Sequence, residues 1–382
     1  MDDESNQKIV EEINMKKKVG ILTFMQNNYG AVLQAYALQR YLRNISDYDV
    51  EVINFTTDWH LKNNRIYGGT YSNWVAKLVF FILKTLRLRA LLKRKNRTDA
   101  FKKSHINISS ERYTSDEMIL NKPPIKDIYI TGSDQVFNPN GQYYKVYYLG
   151  FDKNNARKVA YAPSFGVSNF TDEIKNKISN YILDFDALSC RESVGAEYLS
   201  AITNKIVPTV VDPTLLLTKQ QWFNVAIKPN YKYKYIFIYD LNGAENLVKI
   251  AQKIRDVTDY KIVCLTGKVQ KFYKVDKQIY DAGPSEWLGW IANAEFVVTD
   301  SFHGTVLSTI FEKQFFSYIA VPQTSSRIRN LLTNLSLQNR IVENNCASEF
   351  IYNENCVIDY ACVSPTQYIE PSYKFIDNYI LK

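Results

Sequence analysis

The chain has 382 residues, too many for one compact core and comfortable for two domains. Hydrophobic residues at 46% and charged residues at 23% exclude disordered and fibrous classes. The net charge of +8 traces to one segment: residues 84–103 hold nine Lys or Arg and one acid, Asp99, so no generally basic surface for nucleic acid is present.

The N-terminal stretch MDDESNQKIVEEINMKKK has acids where a signal peptide carries lysines, and no apolar h-region; it reads as a polar tail over 1–16. Short β-branched runs then alternate with helical patterns. Strands are predicted at 18–24, 50–55, 127–131, 158–162, 187–190, 207–211, 235–239, 261–265, 296–299 and 315–319. Helices are predicted at 31–44, 172–184, 193–199, 245–257, 284–293 and 305–312. A last helix is predicted within SPTQYIEPSYKFIDNYILK, where Tyr373, Ile376, Tyr379 and Ile380 mark one buried face. Repeated β-α-β order with near-continuous apolar strands predicts an α/β protein of parallel sheets covered on both faces. Two series are visible, so the expected architecture is two doubly wound, Rossmann-like domains facing a cleft, over 17–217 and 218–345, followed by a C-terminal segment 346–382.

Residues 74–104 form a basic amphipathic insertion in the first domain. Lys77 and Lys84 leave only six uninterrupted apolar residues, 78–83, where a membrane span needs about 20. Two placements fit: packed on the protein with its basic end in solvent, or lying on a membrane surface with that end toward anionic lipid. Five cysteines (Cys190, Cys264, Cys346, Cys356, Cys362) show no CxxC or CxxH spacing, which argues for free thiols in a reducing cytoplasm rather than zinc or disulfides. GxGxxG, Walker A, HExxH and GxSxG signatures are absent. Asp184-Phe185-Asp186 is a DxD-like string, but oxygen-ligand metal sites need more convergent acids, and no metal site is expected.

Four segments place polar residues directly after a buried strand. In MQNNYGAVLQAYAL, Asn27, Asn28, Tyr29 and Gly30 precede a helix whose free N–H groups attract anions and sugar hydroxyls; a plain cap with a turn glycine is the alternative. In YITGSDQVFNPNG, Ser133, Asp134, Gln135 and Asn138 cluster after Gly132, with Asp134 fitted to orient a hydroxyl or act as base. In ALSCRESVGAEYL, Arg191 can grip phosphate or carboxylate bidentately. In AEFVVTDSFHGTVLS, Ser301, His303, Gly304 and Thr305 begin a helix; only three histidines exist, and His303 alone sits where a ligand would approach, unlike His60 and His105. Arg327 and Arg329, in SSRIRNLL at a helix start, are further anion candidates, or a solvated basic helix end.

This ordered set resembles the polysaccharide pyruvyl transferase family across nearly the whole chain, from KVGILTFMQNNYGAVLQAYALQRYL through ITGSDQVFNP, YAPSFG, CRES and VVDPTLLL to EFVVTDSFHGTVLS. The resemblance implies a GT-B-like pair of domains, with the last helix crossing back onto the first. It implies transfer of the enolpyruvyl group of phosphoenolpyruvate onto two hydroxyls of a sugar, in a polysaccharide or its lipid-linked precursor, giving a cyclic ketal and no call for a cofactor. In that scheme His303 is the general acid and Asp134 the hydroxyl-orienting group or base. Arg191, Arg327, Arg329, Ser301, Gly304 and Thr305 bind the donor. Asn27, Asn28, Tyr29, Gly30, Ser133, Gln135 and Asn138 contact the acceptor or another ligand. Family members often carry arginine where this chain has Ser301, which leaves Arg327 or Arg329 to supply that cation. The expected location is cytoplasmic, with residues 74–104 offering contact to the inner membrane face. Two other readings stay open: a metal-independent GT-B glycosyltransferase using a nucleotide-sugar, and a non-catalytic saccharide-binding protein.

Overall fold

The computed structural model describes residues 16–25, 28–57, 81–82, 85–142, 144–151, 155–166, 170–267, 273–320, 326–344, 349–353 and 357–382. Asn27, His60, Cys346, Cys356 and the segment 58–80 lie outside them. The first half runs β1 (Lys18–Leu22), α1 (Tyr29–Ile45), β2 (Asp49–Phe55), α2 (Leu88–His105), β3 (Ile108–Tyr113), α3 (Asp116–Asn121), β4 (Ile128–Thr131), α4 (Tyr144–Tyr147), β5 (Arg157–Ala160), α5 (Asp172–Leu183), β6 (Ala187–Leu188) and α6 (Ser193–Thr203). The second runs α7 (Lys219–Phe223), β7 (Tyr235–Asp240), α8 (Glu245–Thr258), β8 (Lys261–Thr266), β9 (Lys277–Ile279), α9 (Pro284–Ala292), β10 (Phe296–Thr299), α10 (Phe302–Ile310), β11 (Gln314–Ile319), α11 (Ser326–Asn334), β12 (Ile341–Glu343) and α12 (Thr366–Ile376).

Each half forms one six-stranded parallel sheet, ordered β3-β2-β1-β4-β5-β6 and β12-β11-β10-β7-β8-β9. Counted from the first strand of each half, both follow the doubly wound order 3-2-1-4-5-6, which reverses direction between its first and fourth strands. The central strands are apolar along their length because helices cover both faces: every residue of β4, β7 and β10 is buried. The three strands with no counterpart in the sequence prediction, β3, β9 and β12, are all sheet edges. Their sequences, ISSERY, KQI and IVE, are short or half polar, as solvent-facing edges are. Residues 207–211, predicted as a strand, make only a single bridge, Thr209 with Cys190. They lead instead from α6 into a 3₁₀ turn, Pro213–Leu216, that links the halves.

One apolar cluster runs through both halves. Tyr29, at the start of α1, wedges into the second half: its ring stacks on Trp287 at 5.1 Å and its hydroxyl donates to Ala282 O at 2.6 Å. The basic segment contributes a strap beside it. Arg97 pairs with Asp281 Oδ2 at 3.1 Å and Glu286 Oε1 at 2.8 Å, and Lys93 reaches Asp281 at 3.0 Å. Arg94 lies 4.6 Å over the Tyr29 ring, and Lys95 pairs with Asp99. Lys93, Arg94 and Lys95 of the basic segment thus have partners within the chain, with the Lys93 and Lys95 side chains still 57% and 46% exposed. Among the described residues no helix is long and apolar enough to cross a membrane.

The DxD-like string is structural. Lys158 Nζ pairs with Asp184, and Asp186 Oδ2 accepts from the Lys158 amide at 2.8 Å, at the amino end of β5 and away from the strand ends that form the cleft. Cys190 and Cys264 are buried free thiols, whereas Cys362 is exposed.

The chain ends against the first half. Ser372 Oγ accepts from the Val211 amide at 2.9 Å, and Tyr48 OH donates to Leu381 O at 2.7 Å. The buried face of α12 is Ile369, Ser372, Phe375 and Ile376, with Ile380 beyond; Tyr373 and Tyr379 are part exposed. Replacing Ser372 with Ala leaves a buried amide without its acceptor, at a cost of about 1–3 kcal/mol. The expected result is a lower urea midpoint together with faster hydrogen exchange at Val211; an unchanged midpoint would show that the helix docks without this bond.

Candidate active site

In doubly wound sheets, ligands sit beyond the carboxyl ends of the strands at the point where strand order reverses. In the first half that point follows β1 and β4, and in the second it follows β7 and β10. A cleft of about 450 Å³ opens there, lined by Phe24, Asn28, Asp134 and Gln135 from one side and Asn242, Ser301, His303 and Arg327 from the other.

The floor of this region is a buried charge network. The turn after β6 delivers Arg191, of which only 2% is exposed. Its Nη1 donates to Asp212 Oδ2 at 2.7 Å and to Ser133 Oγ at 3.3 Å. Among the described residues its Nε and Nη2 have no hydrogen-bond partner, and the Glu192 carboxylate stands 3.7 Å from Nε. Asp212, in the linker, is also buried; Ser133 Oγ donates to its Oδ2 at 3.1 Å, and Thr214 donates to its Oδ1 from N at 3.0 Å and from Oγ1 at 2.6 Å. His303 Nε2 lies 3.5 Å from Asp212 Oδ2. Burial alone would raise the Asp212 pKa, but His303 and Arg191 outweigh it and hold this carboxyl well below the usual carboxylate range. Burial likewise opposes the Arg191 charge, while Asp212, Glu192 and Asp134 raise its pKa.

Two guanidiniums share one aromatic ring. The Arg191 and Arg327 Cζ atoms lie 4.9 and 5.7 Å from the centre of Phe302. Burial and the neighbouring Arg191 both lower the Arg327 pKa, the effect of like charges confined together.

The wedge of Tyr29 sets the next contact. It brings Gly30 against His303, so closely that a Cβ there would fall 2.1 Å from Nδ1 and 2.6 Å from Cγ. Asn28 caps the helix, its Oδ1 accepting from the Gly30 amide at 3.1 Å. Asp134 has φ 75° and ψ −175°, a conformation nearly confined to glycine, and its Oδ1 accepts from the Gln135 amide at 2.9 Å. Such strain costs about 1–3 kcal/mol and gathers at functional sites.

The family model for polysaccharide pyruvyl transferase matches residues 28–321, most of the chain. The chain belongs to the polysaccharide pyruvyl transferase family. It is accordingly an enzyme of pyruvyl transfer in polysaccharide synthesis. No curated protein matches its sequence. Among solved structures it is similar to S. aureus MnaA determined with UDP, at 11% identity over 96% of this chain and 98% of that one, with a TM-score of 0.53. Others are UDP-GlcNAc 2-epimerase from Methanocaldococcus jannaschii (12% identity, 96% and 100% covered, TM-score 0.49) and the Streptomyces sp. SF2575 glycosyltransferase SsfS6 complexed with thymidine diphosphate (10%, 94% and 95%, 0.41). At these identities the likeness concerns the fold, which is GT-B.

Within this pyruvyl transferase the structure brings His303, Asp134, Gln135, Asn28, Ser301 and Arg327 to one cleft, with Arg191 and Ser133 beneath it. Other residues proposed from the sequence have different work. Tyr29 is a core wedge rather than a ligand contact. Gly304 packs on Thr299, whose Oγ1 would be 2.6 Å from a Cβ, and Thr305 Oγ1 bonds Ser301 O and Ser317 Oγ. Ser301 Oγ caps the helix by accepting from the Gly304 amide. Asn138 closes an Asx turn on the Asn140 amide, and Arg329 pairs with Glu343 at 2.5 Å on the surface. Asn27 is outside the described residues. Asp212 was missed, although an acid inside the apolar run VVDPTLLL carries a signal: a buried charge requires a partner.

Two substitutions test this geometry. Gly30→Ala must displace His303 and is expected to lower kcat by about 10²-fold or more with the fold retained; near-normal kcat would show that the ring's position is unimportant. Asp134→Gly removes the strain, so the melting temperature should rise while turnover falls.

Proposed function

We propose that this enzyme transfers the enolpyruvyl group of phosphoenolpyruvate to two hydroxyls of a sugar, in a polysaccharide or its lipid-linked precursor, forming a cyclic pyruvate ketal and inorganic phosphate. The observation that carries the reading is the guanidinium pair around Phe302: Arg191 is buried with its Nε and Nη2 lacking hydrogen-bond partners among the described residues, Glu192 standing 3.7 Å from Nε, and Arg327 is crowded beside it. A small ligand bearing phosphate and carboxylate relieves both, supplying acceptors to the first and neutralising the repulsion between the two.

His303, at the edge of this pocket, protonates the donor's methylene carbon, which becomes a methyl group and leaves an oxocarbenium-like centre. One sugar hydroxyl adds to that centre and gives up its proton. Phosphate then leaves with its bonding electrons, and the second hydroxyl closes the ring, Asp134 orienting the hydroxyls and accepting a proton. All bonds made and broken lie between donor and sugar, so the balance calls for no cofactor. A nucleotide-sugar donor would ask for a carboxylate free to hold ribose in the second half. Asp300 is instead committed to the Leu241 and Asn242 amides and the Asn242 side chain, and Asp240 to Gly243, Ala244, Thr266 and Tyr273.

Incubation with phosphoenolpyruvate and candidate oligosaccharides should yield an acid-labile ketal by mass spectrometry; addition of a hexose from a nucleotide-sugar instead would overturn the reading. His303→Ala should lower kcat by about 10²–10⁴-fold while phosphoenolpyruvate still binds. Arg327→Gln should raise the donor KM by about 10–100-fold, as loss of charge-assisted hydrogen bonds does.

A further inference from the structure

Asp212 contributes nothing to the cleft lining, yet its carboxylate bonds Arg191 and lies 3.5 Å from His303 Nε2, a buried nitrogen with no hydrogen-bond partner among the described residues. We propose that Asp212 is a positioning residue: its Oδ2 aligns the His303 imidazole and the Arg191 guanidinium together, so that the proton donor and the anion grip are set by one carboxylate. This rests on the pyruvyl-transfer reading above.

The two oxygens of Asp212 have separate tasks. Oδ1 is held by the amide and hydroxyl of Thr214, within the 3₁₀ turn Pro213–Leu216 that Asp212 itself caps. With that oxygen fixed, the carboxylate cannot turn, and Oδ2 faces Arg191 Nη1 at 2.7 Å, Ser133 Oγ at 3.1 Å and His303 Nε2 at 3.5 Å. The partners come from different parts of the fold: Ser133 and Arg191 from the first half, His303 from the second, and Asp212 from the linker between them. Oδ2 is therefore a point at which the relative placement of the halves is registered.

The chemistry follows from which ring edge is engaged. A carboxylate beside Nε2 fixes the imidazole's orientation. The opposite edge, Nδ1, stays against Gly30 at the first turn of α1, where the cleft opens. The same oxygen holds Nη1 of Arg191; of the other two nitrogens, Nε lies 3.7 Å from the Glu192 carboxylate and Nη2 has no hydrogen-bond partner among the described residues, which leaves Nη2 for an anion.

The test is Asp212→Asn, which keeps volume and a carbonyl for Thr214 but presents an amide where Oδ2 stood. For the parent turning over phosphoenolpyruvate, kcat should fall and the donor KM rise, each by about 10–100-fold, the range for partners that orient reactive groups. In a His303→Ala background the same change should alter the residual kcat by no more than about twofold, because the group it orients is gone. Inorganic phosphate binding, measured by calorimetry, should weaken by about tenfold in Asp212→Asn and no further when Arg191→Gln is added. Should Asp212→Asn fail to fold, Thr214→Val removes the hydroxyl bond to Oδ1 while keeping the amide bond, loosening the carboxylate, and should give the same paired loss at smaller size. Kinetics near the parent's, or a full additional loss in both the His303→Ala and Arg191→Gln backgrounds, would overturn the proposal. A parent inactive with phosphoenolpyruvate would sink the pyruvyl-transfer reading, while the phosphate measurements would still decide whether Asp212 aligns Arg191.

Discussion

Removing the Asp212 carboxylate and the Arg191 guanidinium from water is costly, and their 2.7 Å contact offsets that cost only because Thr214 and Ser133 satisfy the remaining oxygen positions. Buried pairs of this kind add little net stability compared with apolar side chains of the same volume. Their value here lies in geometry. The pair sits beneath the cleft, with the linker on one side and His303 of the second half on the other, so the rest of the site is built upon it. Arg191 is held at one corner, Phe302 and Arg327 gather around its face, and the imidazole is held at the other.

A second constraint comes from the apolar wedge between the halves. Tyr29 and Trp287 stack because burying two large aromatic rings is strongly favourable, and Arg94 and Arg97 of the basic segment close over the same junction. The residue after the wedge is Gly30, and its missing side chain is what admits the His303 ring. Core packing and chemistry thus meet at adjacent positions. Two cations of the chain's basic segment, Lys93 and Arg97, clasp Asp281 and Glu286 of the second half.

Much of the fold was legible because its central strands are continuous apolar runs bounded by turns, and because the helices between them repeat at regular intervals. The strands that escaped are the sheet edges ISSERY, KQI and IVE, where one side faces solvent and the apolar signal is diluted. The cleft residues were legible for a related reason. Polar residues right after a buried strand, as in GSDQ and DSFHG, have to be at the carboxyl edge of a sheet, where doubly wound folds place ligands. Tyr29, in NNYG, and Gly304 and Thr305, at the end of DSFHGT, lie in such polar strings yet are packing residues, since adjacency in sequence does not say which side chain turns inward.

The sequence alone determined the fold class, the family, and the strand ends from which the site is assembled, because those depend on local hydrophobic pattern and on short polar strings. The tertiary structure decided which of these groups meet. It placed Arg191, Asp212 and His303 in one network although they are far apart in the chain, separated Arg329 from Arg327, and set Lys93, Arg94 and Arg97 of the basic segment against the second half and the Tyr29 ring. Contacts of that kind depend on how two sheets and a linker pack against one another, and no local pattern of residues encodes that distance.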